Sequence, residues 1–375
     1  MNQKMMDAAA KLRRADLSGV HGLVGFDGFV DEVVHVVDKR YDAEHFRRIE
    51  TIRAYGERIC AAAGLSTNIE VVPLQRKIGG NGTIFANSLL RHGVQLNYIG
   101  ALGRPAIHPI FEDFVRDCAS AYSISEPGYT DAVEFLDGKI IRSKLDGLKA
   151  VSWESLMEVV GREQLLRLVE SASFLAFMNW SLVVNVTDIW DGILREILPK
   201  LTQGAQRRKL FIDLADPEKR SAEDLLHALH TIERMNEHLS VILGVNKKEA
   251  CEILALFGVS IPDYAQAGED ALLDLLLERL RVDTIVVHSR AAAAGGNAAG
   301  CRAVAPVRYC ETPRLTTGAG DNFNAGFMLG QICGLSLEES LITAVSNSGY
   351  YVRNGQSPDL RSLTQYMEES AQLQP

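Results

Sequence analysis

The sequence predicts an α/β fold carrying a small antiparallel accessory sheet. Short apolar runs alternate with longer segments of helical periodicity along most of the chain. One segment, Thr130–Ser143, alternates residue by residue and turns at Asp137-Gly138, the pattern of a β-hairpin. Near the C-terminal end, a glycine-rich run from Thr317 to Asp321 opens a helical pattern.

Taken in order, Gly22–Phe26 reads as the first strand. Ala43–Ala63 reads as a helix, because Phe46, Ile49, Ile52 and Ile59 fall at helical spacings. Val71–Leu74 reads as a strand leading into Gly79-Gly80-Asn81-Gly82. A helix over Ile84–His92 follows and stops at Gly93, a residue type that favours helix C-caps. Leu96–Gly100 reads as a strand and Ile110–Ala119 as a helix. Beyond the hairpin, strands are expected at Phe174–Met178, Lys209–Leu214, Val241–Gly244 and Thr284–His288. Helices are expected between them and at Asn322–Cys333 and Leu337–Tyr351. The small-residue run Ala291–Gly300 reads as a turn between strands.

Composition narrows the class. Of 375 residues, 47% are hydrophobic and 23% charged, so the chain can fill a sizeable core and is not disordered. A net charge of −9 argues against a broad nucleic-acid surface. The 6 cysteines form no CxxC pair, which leaves no zinc-ribbon or thioredoxin motif and suits a reducing cytoplasm. The first residues carry charges throughout and no apolar core, so no signal peptide is expected. The most apolar stretch, Phe174–Trp190, is interrupted by Asn179, Asn185 and Asp188, too polar to span a membrane. A soluble cytoplasmic protein is the expectation.

The chemistry concentrates at Thr316–Asp321. Glycines let the backbone approach a ligand closely. The first N–H groups of a helix lack intrahelical partners and suit a phosphate or the charge of a transferring phosphoryl. A carboxylate at Asp321, beside those donors, could take a proton from an attacking hydroxyl. The plain alternative is an Asp that caps a helix after a turn.

The wider segment LTTGAGDNFNAGFMLGQICG resembles the C-terminal signature of the ribokinase-like (PfkB) family of carbohydrate kinases. Upstream, GGNGTIFANSLLRHGVQLNYIGALG resembles that family's N-terminal signature. The resemblance runs from Gly22 to about Ser357. It implies a three-layer α/β/α sandwich with a β-strand lid, as a single domain over 1–375 with lid elements at 29–78 and 128–145. It implies ATP and Mg²⁺ as cofactors and a sugar-like small molecule as substrate.

Position by position, the resemblance makes Asp321 the base and Gly318, Ala319 and Gly320 the anion hole. Asp27, with Asp31 as a weaker candidate nearby, and Gly79, Gly80 and Asn81 match the sugar site. Asn246 and Glu249 match a motif that organises Mg²⁺ and phosphate, with Glu249 acting through water; an Asn cap with an acidic first turn is the alternative. Thr317, His288, Ser289, Arg290 and Asn347 match the nucleotide side. Arg290 reads equally as a solvated charge and Asn347 as a helix-packing residue. Asp213, ending a strand, either positions phosphate or caps the next helix.

Two departures stand out: Ile84 where the family often has Asn, and Leu315 where many relatives carry an Asp that takes part in a monovalent-cation site. In the hairpin, Arg142 either reaches the substrate or is an exposed charge. The extra length around Asp38–Arg76 lies beside the sugar site and bears on substrate choice. Lid edges that pair between subunits imply a homodimer.

Other classes fit less well. Gly25-Phe26-Asp27-Gly28 is not the GxGxxG of a dinucleotide-binding fold, and no Walker A motif occurs. A nucleoside kinase of the same fold and a non-catalytic sugar or nucleoside sensor remain the alternatives. The intact glycine loop and Asp321 weigh against the sensor.

Overall fold

The computed structural model describes residues 2–202 and 207–373. The chain begins with helix α1 (Asn2–Arg14), strands β1 (His21–Phe26), β2 (Phe29–Arg40) and β3 (Phe46–Arg48), and helix α2 (Ile52–Ala61). It continues through β4 (Val71–Gly79), α3 (Asn81–Arg91), β5 (Gln95–Gly100), α4 (Glu112–Asp117), β6 (Ser120–Ser123), β7 (Gly128–Phe135) and β8 (Gly138–Lys144). Then come α5 (Trp153–Val159), α6 (Arg162–Ser171), β9 (Phe174–Phe177), α7 (Val186–Glu196), β10 (Lys209–Asp213) and α8 (Ala222–Met235). The last third holds β11 (Ser240–Asn246), α9 (Lys247–Leu256), α10 (Glu269–Arg279), β12 (Thr284–His288), β13 (Ala292–Asn297), β14 (Arg302–Pro306), α11 (Ala319–Ile332), α12 (Leu337–Asn354) and α13 (Leu360–Gln372).

Nine strands form one sheet in the order β14-β13-β12-β11-β10-β9-β1-β5-β6. It is parallel from β6 across to β12, and β13 and β14 close one edge antiparallel. Both faces are buried, so its strands are apolar throughout and alternate residues feed opposite cores. On one side Leu23, Leu175, Leu210 and Leu243 pack against Leu165, Ile189, Leu229 and Leu276 of the flanking helices. On the other, Val24, Ala176, Phe211 and Ile242 meet Leu12, Phe85, Phe327, Leu341 and Met367. Each fully buried Leu or Phe contributes about 2 kcal/mol, and the two layers of them fix a three-layer sandwich.

A second, five-stranded sheet is built from β2, β3, β4, β7 and β8. Along β2, Asp31 pairs with Lys77 on one side and with Thr130 on the other. Thr130 pairs in turn with Ser143, and Glu134 with Lys139. Residues two apart share a face, so Phe29, Asp31, Lys77, Thr130, Glu134, Lys139, Ile141 and Ser143 form one surface.

Three expectations need correction. Ala43–Ala63 is not one helix. Phe46–Arg48 pairs with the end of β2, and the helix starts only at Ile52, where Thr51 Oγ1 accepts from Ala54 N–H at 3.2 Å. Cross-strand pairing and a local cap override a spacing that also suits a helix. Ala291–Gly300 is not a turn, because β13 lies between β12 and β14 in full ladder register. Its small residues serve packing: a Cβ on Gly295 would press on Leu337 and Leu341 at 3.2 and 3.3 Å. The hairpin turns one residue early, with Phe135 opposite Gly138. Strand β2 falls inside the lid element expected over 29–78, at residues for which no separate strand is expected. No helix among the described residues is long and apolar enough to cross a membrane.

Candidate active site

The main sheet reverses its winding at β1, whose neighbours β5 and β9 lead to opposite edges. Ligand crevices form at the carboxyl ends of strands at such a point. Asp27, Asn179, Asp213 and Asn246 all lie at or just beyond such ends. The second sheet faces them, and an open cleft of about 520 Å³ lies between. Its lining includes Asp31, Gly80, Asn81, Glu249, Thr317, Gly318 and Asp321 from among the expected site residues.

Glycine is required at the head of α11. Gly318 takes φ +90°, and a Cβ there would lie 2.9 Å from the Tyr351 hydroxyl oxygen. Tyr351 Oη donates to the Thr317 carbonyl at 2.7 Å and pins the loop. Ala319 N–H turns back on the Thr316 carbonyl at 3.1 Å, and Asn322 N–H starts the helical ladder on Gly318 at 3.0 Å. The N–H groups of Gly320 and Asp321, between them, have no helical partner, which leaves two donors of the kind that suit an anion. Asp321 is buried and accepts from Asn81 Nδ2 at 2.8 Å, joining the two distant signatures directly. Burial pushes its carboxyl well above the usual range, the Asp27 charge adds to this, and the Asn81 bond opposes it.

The two candidate substrate aspartates exchange rank. Asp27 is closed off behind the cleft. Its oxygens accept from Asn179 Nδ2 at 2.7 Å, Gly82 N–H at 3.0 Å and Tyr98 Oη at 3.2 Å. Burial lifts its pKa to about 6. Asp31, on β2, lines the cleft instead. Burial raises it too, against the charges of Lys77 and Lys139. Gly79 backs onto Asp31 and Gly80 onto Asp27, so both glycines leave room for the carboxylates. Ile84 lines the cleft as an apolar wall.

Asn246 and Glu249 form a capping box at the head of α9. Asn246 Oδ1 accepts from Lys248 and Glu249 N–H, and Glu249 Oε2 accepts from Asn246 N–H at 2.8 Å. Asn246 is thus occupied as a cap. Glu249 also accepts Asp216 N–H at 3.0 Å and still faces the cleft. Asp213 is buried beside it, held by Asn324 Nδ2 at 2.6 Å, with Oδ1 unpartnered. Burial and the charges of Glu249 and Asp321 push Asp213 well up. Among the described residues no three His, Cys, Asp or Glu side chains are arranged to hold a metal ion.

Asn347 does not reach the cleft. It bonds His92 Nε2 at 2.9 Å, Ser88 Oγ at 3.0 Å and the Asn322 carbonyl at 2.7 Å, all buried between α3, α11 and α12. The helix-packing alternative is the one realised. His288 packs on Phe323 with ring centroids 4.6 Å apart, beside Gly320. Ser289 Oγ accepts from its own turn, at Ala291 and Ala292 N–H. Arg290 and Arg142 are exposed, and Arg142 lies on the opposite face of its strand from the lining residues Ile141 and Ser143.

Sequence reasoning missed Asn179, Thr130, Ser143, Lys139 and the Ala215-Asp216 turn. Asn179, Ala215 and Asp216 take positive φ of 63°, 53° and 53°, and all three line this one cleft. Such strain in non-glycine residues collects at functional sites. Asn179 is buried, and its Oδ1 has no partner. Its signal was present as a polar residue ending an apolar strand, read only as an interruption of a membrane span.

The fold is that of ribokinase-like proteins. It matches Arabidopsis thaliana ribokinase complexed with ribose and ATP at a TM-score of 0.63 and 16% identity, over 93% of this chain and 98% of that one. It matches Cryptococcus neoformans ribokinase in complex with ADP at 0.63 and 19%, over 92% and 98%. A Methanocaldococcus jannaschii nucleoside kinase matches at 0.61 and 15%, over 93% and 98%. Within this class, a model of prokaryotic ketohexokinases matches residues 2–370, and the chain belongs to that family. A ketohexokinase of Haloferax volcanii is 29% identical over 349 residues, 92% of this chain and 90% of the relative. The protein is a carbohydrate kinase.

Proposed function

We propose that the protein transfers the γ-phosphoryl of ATP to a hydroxyl of a ketohexose. The observation that carries this is the meeting of Asp321, held by Asn81, with the unpaired N–H groups of the α11 loop in one cleft with Asp31. Asp321 takes the proton of the attacking hydroxyl. The oxygen–phosphorus bond then forms as the bond to the ADP oxygen breaks, and the Gly318–Gly320 loop neutralises the phosphoryl oxygens through the free N–H groups of Gly320 and Asp321, Ala319 N–H being held by Thr316. Asp31, Asn81 and Asn179 hold sugar hydroxyls. Asp27 supports them from behind by fixing Asn179 and the Gly82 amide.

The nucleotide extends from Thr317 toward His288, Ser289 and Arg290. The oxygen donors of Asp213 and Glu249 suit a hard cation held through its waters. When bound, Mg²⁺ would supply charge neutralisation at the phosphates. The second sheet acts as a lid over a single catalytic unit and excludes water from the cleft. Exposed Leu74 and Tyr129 and the free edges β4 and β8 favour a homodimer through it, working in the cytoplasm.

Coupled ADP release with fructose and other ketohexoses tests the assignment. Asp321→Asn lowers kcat by about 10²-fold or more. Turnover of ketohexose by that variant at the wild-type rate would overturn the role. A preference for nucleosides over every ketohexose would overturn the substrate class.

A further inference from the structure

The inner face of the second sheet carries two ammonium groups toward the glycine loop. Lys139 Nζ donates to Thr317 Oγ1 at 2.8 Å and lies 3.3 Å from Glu134 Oε1, its cross-strand neighbour. It is the second sheet's hydrogen bond to the loop that opens α11. Lys77, opposite Asp31 on β4, stands in the same group, under the charges of Asp31, Lys139, Glu134 and Asp321. No carboxylate among the described residues lies within ion-pair distance of Lys77. The wall facing the anion-binding loop thus carries both of its lysines beside two carboxylates, Asp31 and Glu134, and Lys139 is the one whose ammonium reaches the loop.

We propose that Lys139 is a further catalytic residue, supplied by the second sheet, whose ammonium contacts the transferring phosphoryl group opposite the free N–H groups of Gly320 and Asp321. This rests on the phosphoryl-transfer reading above. An ammonium has three donors. One holds Thr317 Oγ1, a second holds Glu134 Oε1 at 3.3 Å, and the third is available to a phosphoryl oxygen, so one side chain docks the sheet and stabilises charge. Lysine serves phosphate as a point charge, without the fixed fork of arginine. No bond to Lys139 forms or breaks: the hydroxyl proton still goes to Asp321, and the electron pair of the broken bond leaves on ADP. Cation and loop meet only when the sheet lies against the loop, which links closure of the cleft to chemistry.

Three variants separate charge from docking. Lys139→Gln keeps a donor for Thr317 Oγ1 but removes the charge, Lys139→Met removes both, and Lys139→Arg keeps the charge. Fructose turnover gives kcat and KM, and calorimetry gives Kd for ADP and for a non-hydrolysable ATP analogue. The Gln and Met variants lose about 10²-fold in kcat with little change in sugar KM, and Arg recovers most of it. Both also lose about tenfold in affinity for the ATP analogue while ADP binding holds. Wild-type kcat in Lys139→Gln would reduce Lys139 to a docking contact and overturn the proposal. So would an equal loss of ADP and analogue affinity. The binding arm needs no turnover, so an enzyme inactive on all ketohexoses would refute the substrate proposed above and still leave Lys139 decided.

Discussion

Asp321 sits where ionisation is opposed. Burial and the neighbouring charge of Asp27 both favour its protonated form. A base must be ionised to act, so kcat/KM falls in acid with a midpoint above the ordinary carboxylate value of about 4. A pH–rate profile with its acid limb at or below about 4 would contradict this. The same burial costs stability. The folded protein holds a proton that the unfolded chain has released, so stability falls as pH rises from the unfolded toward the folded pKa, by about 1.4 kcal/mol per unit. Asp321→Asn keeps an oxygen for Asn81 and removes the charge. It therefore melts higher than the wild type at pH 7, and thermal scans show the gain vanishing below about pH 4. Asn179 is a second site where strain and an unused acceptor coincide. Asn179→Ala raises sugar KM by about tenfold while leaving ATP KM near wild type, the cost of losing one hydrogen bond to a hydroxyl and one to Asp27. Equal KM for sugar in the two proteins would remove Asn179 from the substrate site.

Helices α11 and α12 show how an element can be fixed by its neighbours. From Asp321 to Gly330 nearly every residue of α11 is buried, so no solvent face exists to set a periodic pattern. The close approach is made at Gly326, where a Cβ would lie 2.7 Å from Asn347 Cβ and 2.9 Å from Ala344 Cα. Both are held by the helix backbone and cannot yield. Gly326→Ala therefore destabilises by about 1–3 kcal/mol despite its better helix propensity, as denaturant titration would register. A gain in stability would mean that the helices can separate. The N-terminal end of α11 is tied to this packing through Asn322, whose Nδ2 donates to the Gly318 carbonyl and whose own carbonyl accepts from Asn347. Asn347 therefore supports the loop from behind.

Across the whole molecule, that polar layer contributes to acid sensitivity, alongside His288, whose pKa burial also lowers to about 4. His92 is buried, with Nε2 on Asn347 Oδ1 and Nδ1 unpartnered, and burial lowers its pKa to about 4. Its depressed value makes the folded state bind the proton later than the unfolded chain. Stability attributable to it is intact above about pH 6.5 and is lost as pH falls to about 4, on the order of 3 kcal/mol. His92→Gln flattens that part of the stability–pH curve, and an unchanged slope would assign the acid sensitivity elsewhere. By itself the sequence determined the alternating strands and helices, the glycine loop with Asp321, and Gly80-Asn81. Each of these is a local pattern, because backbone conformation and helix-end chemistry depend on adjacent residues. Only the tertiary structure decided that Asp31 rather than Asp27 faces the cleft, that Asn347 is sealed among helices, and that Asn179 and Lys139 reach the site. Those outcomes depend on which face each strand presents and which neighbours the sheet order brings, and one residue of register reverses them.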